Sequence, residues 1–168
     1  MELASYTFKF PTRDKPFVLR PMGDFQYTGG DGTTAMDLLK RDIDEAMDLN
    51  AWFVGMGDYT DFMSPSNRQR IKAAALYETA SDVIDNKALD LTHDLFQKAL
   101  KPTVGRWLGL CEGHHYHDMA AGDTTDMRLC TMLKARHLGS EAVIRLQFSD
   151  GQASRSNVVV HAHHGVGG

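Results

Sequence analysis

Cysteine is scarce: Cys111 and Cys130 are the only two in 168 residues, and they form neither a C-x-x-C pair nor a small disulfide-rich frame. The two cysteines are therefore expected to be reduced, buried, small hydrophobes. Long apolar runs are missing too. None approaches the ~20 residues that a membrane-spanning helix needs, so no membrane partner is expected. The opening MELASYTFKF has no basic region followed by an apolar stretch, which predicts no signal peptide and a cytoplasmic location. A cationic excess is absent as well: 18 Lys and Arg stand against 22 Asp and Glu, a formal charge of −4. That balance gives no global electrostatic footprint for nucleic acid. No repeat, low-complexity tract or linker interrupts the chain, and its 42% hydrophobic and 24% charged content is ordinary for one globular domain spanning residues 1–168.

What is present alternates between two periodicities. SYTFKF alternates at period two, and FVLRPMGD, AWFVGMGD and VGRWLGLCEG are short apolar runs that end in polar turns. EAVIRLQF and SNVVVHAH complete the strand candidates. TTAMDLLKRDIDEAMDLN sets Met36, Leu39, Ile43 and Met47 three and four apart, an amphipathic helix with Thr33 or Thr34 as its cap, Asp37 at its positive end and Asn50 as its stop. NRQRIKAAALYETA and ALDLTHDLFQKAL read as two helices stopped by Pro102, and TTDMRLCTMLKARHLG as a helix closed by Gly139. The resulting order, β-α-β-α-α-β-α-β-β, predicts a layered α/β domain with a largely buried sheet.

One regularity stands out. Four apolar strands end in turn at Asp24, at Asp58, at His114–His115–His117 and at His161–His163–His164. Ligands of α/β sheets bind outside the carboxyl ends of the strands, so these side chains are expected to converge on one cation. A mixed Asp and His set suits Mn²⁺, Zn²⁺ or Fe better than Ca²⁺ or Mg²⁺, because imidazole is a borderline ligand. Competing roles are bland ones. Asp24 and Asp58 could simply cap turns, and His117 reads as a surface residue. His161, still on its strand, reads as structural, and His93 and His137 carry no assigned role. The glycine-rich YTGGDGTT lacks the P-loop spacing and reads as a flexible turn, while Arg68 and Arg70 could steer a polyanion.

The stretches GDFQ (23–26), GDYTD (57–61), EGHHY (112–116) and HHGVGG (163–168) stand in the order and spacing of known motifs. Together they resemble the calcineurin-like metallophosphoesterases, and in wording most of all the phage and prophage members. Those proteins carry D-x-H, G-D-x-x-D, G-N-H-[DE], a histidine after a strand, and G-H-x-H. The chain departs from that pattern in four places. Gln26 replaces the histidine of D-x-H, His114 replaces the asparagine of G-N-H, Tyr116 replaces the acidic residue, and Gly168 is reached before any G-H-x-H. The resemblance implies an α/β/β/α layered sandwich, incomplete at its C-terminus, and the host cytoplasm as the location if the gene belongs to a phage.

The resemblance also implies chemistry: hydrolysis of a phosphate ester, as a phosphodiesterase or nuclease-like enzyme, by two divalent ions sharing a bridging Asp and a water. Mn²⁺ or Zn²⁺ is favoured over Fe. Asp58 would be the bridge, Asp24 and Gln26 would hold the first ion, and His114 with His163 or His164 the second. His115 would contact phosphate and protonate the leaving oxygen, a task suited to imidazole. Asp61 would support the loop. The expected partner is a phosphate-ester substrate, with nucleic acid or a nucleotide among the candidates, and a second copy of the chain is a further candidate. The alternative is a degenerate or truncated, non-catalytic member acting as a metal-binding or scaffold module.

Overall fold

The computed structural model describes residues 1–9, 15–30, 34–64, 66, 69, 70, 73, 78–149 and 155–165. In chain order they form β1 (Glu2–Lys9), β2 (Leu19–Met22), α1 (Met36–Asp48), β3 (Trp52–Gly55), α2 (Glu78–Leu95), β4 (Trp107–Leu110), α3 (Thr125–Leu133), β5 (Glu141–Ser149) and β6 (Arg155–His163). A π-helical turn at Phe96–Leu100 and a 3₁₀ turn at Lys101–Thr103 prolong α2, and Pro102 sits in the latter, where the helix was expected to stop. The architecture is mixed α/β.

The described strands divide between two sheets. β2, β3 and β4 run parallel, with β3 in the centre; β5 lies between β1, to which it is parallel, and β6, to which it is antiparallel. The short apolar runs go to the parallel sheet because such strands are covered on both faces. Phe53 and Trp107 face a first core with Leu39, Ile43 and Ala46 of α1, Leu95, Leu100, Leu129 and Leu133. Val54 and Leu108 face a second core that they share with Ala4, Ala142, Ile144, Leu146 and Ala162 of the other sheet. The alternating segments β1, β5 and β6 instead keep one face exposed, mostly polar but with Leu3 and Val159 on it.

Local differences from the sequence expectation have local causes. The Thr34 hydroxyl does not cap α1; it donates to the Phe25 carbonyl at 2.9 Å, tying the helix start to the β2 turn. Asn50 ends the helix as expected, in the left-handed region at φ 55°. The helix ALDLTHDLFQKAL starts earlier, within α2, and NRQRIKAAALYETA falls largely outside the described residues. α3 closes at left-handed Lys134 rather than at Gly139. The segment after it is drawn into the sheet: the Leu110 N–H donates to the Arg136 carbonyl and the Leu138 N–H to the Leu110 carbonyl, each at 2.9 Å. No helix among the described residues is long and apolar enough to cross a membrane.

Candidate metal centre

Beyond their last paired residues, β2 and β3 turn in step. Gly57 has φ 97°, and Asp24, Gln26 and Asp58 take φ 53°, 46° and 52°, a region that side chains enter rarely and that aspartate tolerates better than most. Matching kinks let the backbone ladder continue. The Asp24 N–H donates to the Gly57 carbonyl at 2.9 Å, the Gln26 N–H to the Asp58 carbonyl at 3.0 Å, and the Tyr27 N–H to the Tyr59 carbonyl at 3.1 Å. Off-region backbone of this kind persists only where the surroundings determine it, and it gathers at functional sites.

The Asp58 side chain is buried (6% exposed) and lies over the turn that follows β4. Its Oδ1 accepts the N–H of His114, and that of His115 at 3.2 Å. This contact requires Gly113, because a Cβ there would stand 2.1 Å from the Asp58 nitrogen and 2.2 Å from Oδ1. Asp58 Oδ2 faces His164 Nε2 at 3.5 Å, and His164 Nε2 lies 3.2 Å from His114 Nδ1. Asp58, His114 and His164 thus present ligand atoms that all lie within 4.8 Å of one another.

This donor set fits a borderline divalent cation. His164 Nδ1 lies 2.6 Å from the Met56 carbonyl, which fixes it as the protonated nitrogen and leaves a lone pair on Nε2. That lone pair points at a carboxylate oxygen and at a second imidazole nitrogen. Two imidazole nitrogens at such a distance share either a proton or a cation, and one carboxylate with two imidazoles is an ordinary ligand set for Zn²⁺ or Mn²⁺.

Around the cluster, three more carboxylates hold the loops. Asp61 Oδ1 lies 2.7 Å from His115 Nδ1, so the carboxylate orients the ring. Asp126 is nearly enclosed and accepts the Gly113 N–H at 3.0 Å; burial pushes its carboxyl up to about 7, against the smaller opposing effect of that hydrogen bond. Asp85 on α2 takes His117 Nε2 at 2.6 Å and the Ala120 N–H at 2.8 Å. Tyr59 pins the ends of the parallel strands by accepting the Gly57 N–H at 3.0 Å and donating to the Cys111 carbonyl at 2.8 Å. Its enclosure raises the phenol well above its usual range, so it remains a donor.

Of the residues expected at the metal, the fold brings together Asp58, His114 and His164. His163 is exposed on the outer side of β6, and of the two adjacent histidines it is His164 that joins the cluster. Asp24 and Gln26 are exposed on the adjoining turn, outside the three-residue cluster. His115 stands beside the cluster, joined to it through Asp58. His117, expected at the surface, is buried, because α2 supplies Asp85 as its partner. His161 is exposed and lies 3.6 Å from Glu141. Cys111 and Cys130 are buried free thiols, as expected, both raised by burial, to about 11 and about 12. Arg68 lies outside the described residues, as does part of YTGGDGTT.

Sequence reasoning missed Asp85, Asp126 and the anchoring role of Tyr59. Asp126 had a local signal, since it follows Thr124, whose hydroxyl caps α3 by accepting the Met127 N–H at 3.2 Å, but its contact with Gly113 is made by the fold alone. No protein-family model matches the chain, and neither does any curated protein or solved structure. The resemblance therefore rests on its motifs.

Proposed function

We propose that this chain binds a borderline divalent cation through Asp58, His114 and His164 and hydrolyses a phosphate ester, a phosphodiester of nucleotide or nucleic-acid type being the favoured class. The observation that carries the proposal is the meeting of these three ligand atoms within 4.8 Å, from residues as far apart in the chain as 58 and 164. The core shared by the two sheets, with helices packed on the other face of the parallel sheet, supports three layers of the α/β/β/α reading, while no helix among the described residues covers the outer face of β1, β5 and β6. A bound Mn²⁺, Zn²⁺ or Fe ion supplies Lewis-acid neutralisation of phosphoryl charge and a more acidic water.

The chain's own residues do the rest. Asp58 holds the His114–His115 loop through its Oδ1 while its Oδ2 remains turned to the ligand position. His115, with Nδ1 engaged by Asp61, has its Nε2 to deliver a proton to the leaving oxygen. Asp24 and Gln26, whose turn is fixed to that of Asp58 through the backbone, are the residues that would hold a second ion.

The experiment is hydrolysis of bis-p-nitrophenyl phosphate by purified protein with Mn²⁺, Zn²⁺, Ni²⁺ or Mg²⁺. Turnover that disappears in Asp58→Ala is the expected result, and no turnover with any of the four metals removes the enzymatic reading. A second reading, a non-catalytic metal-binding or scaffold module, is favoured by the exposure of Asp24 and Gln26 outside the cluster. Metal content at the Asp58 cluster and its adjoining turn separates the two: two ions support catalysis by a metal pair, and one ion without turnover supports the module.

A further inference from the structure

β6 places a second set of ligands on the opposite side of the same strand. His161 and His163 flank Ala162, which is 1% exposed and faces the core shared by the sheets, so both histidines project from the outer face. Their rings lie 6.3 Å apart between centroids. In the antiparallel ladder Glu141 of β5 pairs directly with His163, and Val143 with His161, which puts the Glu141 carboxylate on the same face as both imidazoles. Its Oε2 already lies 3.6 Å from His161 Nε2.

We propose that His161, His163 and Glu141 form a surface site for one borderline divalent transition-metal ion, of the class Zn²⁺, Ni²⁺ or Cu²⁺. Alternate residues on a strand stand about 6.7 Å apart and neighbouring strands about 4.8 Å apart, a triangle that long side chains close easily around one ion. Imidazole nitrogens about 2.0–2.1 Å from a shared Zn²⁺ are reached by rotating the two rings toward each other, with no change of backbone. The backbone is held, since β5 and β6 pair without a bulge from Glu141–His163 to Ser149–Arg155. Two imidazoles and a carboxylate favour borderline ions over Mg²⁺ or Ca²⁺, and the affinity order follows Ni²⁺ < Cu²⁺ > Zn²⁺. The cations facing this set are the N-terminal nitrogen of Met1, 3.9 Å from the other Glu141 oxygen, and Arg145, which pairs with Val159 one step beyond His161.

The site is independent of the proposed hydrolysis, and its test is kept separate from it. The full chain and the variants His161→Ala, Glu141→Gln and His164→Ala are titrated with Zn²⁺ by calorimetry, with a count of bound ions by equilibrium dialysis. The wild type is expected to bind one ion more than His161→Ala. Glu141→Gln should retain that ion with affinity lower by about tenfold or more, the scale on which a single partner tunes a metal site. His164→Ala keeps the ion and loses the one at Asp58. Substoichiometric Cu²⁺ added to His164→Ala should broaden the imidazole resonances of His161 and His163. Unchanged stoichiometry in His161→Ala, or broadening confined to His114 and His115, overturns the proposal. Hydrolysis by His161→Ala is expected at the wild-type rate, so a chain without any phosphoesterase activity would leave this ion count equally decisive.

Discussion

Asp24 and Asp58 begin as equals. Each follows a Gly at the end of an apolar parallel strand, and each holds φ near 50°. Yet Asp58 is buried beside His114 and His164 while Asp24 is exposed. The difference is their place in the sheet: β3 is central, so the turn after β4 closes over Asp58, whereas β2 is an edge strand. A local conformation prepares a side chain for a site, but the neighbours on either side decide whether it is enclosed there.

The sharpest way to break this comparison is to remove each aspartate in turn. Asp58→Ala should lower Zn²⁺ affinity at the His114–His164 cluster by more than about 100-fold, beyond the 10- to 100-fold typical of a supporting partner, with Asp24→Ala costing about tenfold or less at that same cluster. Calorimetric titration in a His161→Ala background reads both, and equal losses would mean that central and edge positions do not differ.

Burial around the central turn should also show in pH dependence. The Asp126 carboxyl titrates near 3.8 when unfolded and near about 7 in the fold, so the folded chain holds its proton over that interval. Its folded value is raised, and its contribution therefore favours folding least at high pH: stability is lost as pH climbs from about 4 to about 7 and then levels off. Asp126→Asn removes this slope, so the variant should gain on the wild type by on the order of 3–4 kcal/mol across the interval. Urea denaturation of metal-free protein at pH 4.5 and pH 7.5 measures it, and a constant gap between the two proteins would show that burial does not govern this group.

A smaller effect is expected from the space between the central turns. Gly113→Ala forces a methyl group against the Asp58 backbone and Oδ1, and the loop must move; overpacking of this kind costs about 1–3 kcal/mol. Denaturation midpoints check the stability, and the loss should be accompanied by weaker Zn²⁺ binding. Least of all should be felt at the edge. Arg20 and Asp42 form a 2.7 Å pair with both side chains well exposed, and Arg20→Ala should change stability by less than about 1 kcal/mol. A larger loss would make the β2 side as tightly determined as the centre.

Much of the local structure was legible because it is encoded over a few residues. The spacing of Leu39 and Ile43 marked α1, and Gly-Asp after an apolar run marked the turns at Asp24 and Asp58. The paired histidines marked the neighbourhood of a site, though not its membership. His163 and His164 are adjacent in the chain and leave it on opposite sides, and only the direction of β6 at its end shows which one turns inward. Likewise, nothing near His117 announces Asp85, which comes from a helix thirty-two residues earlier.

Periodicity, turn chemistry and the identity of the candidate ligands are properties of short segments, set by backbone geometry and side-chain polarity, and the sequence alone determined them. Tertiary structure decided that the described strands part into two sheets, that β3 is central in the parallel one, that Asp58, His114 and His164 meet, and that Asp126 loses contact with water. These depend on pairing between segments distant along the chain. Such pairing is chosen by the burial of whole apolar faces, which no single stretch of residues can specify.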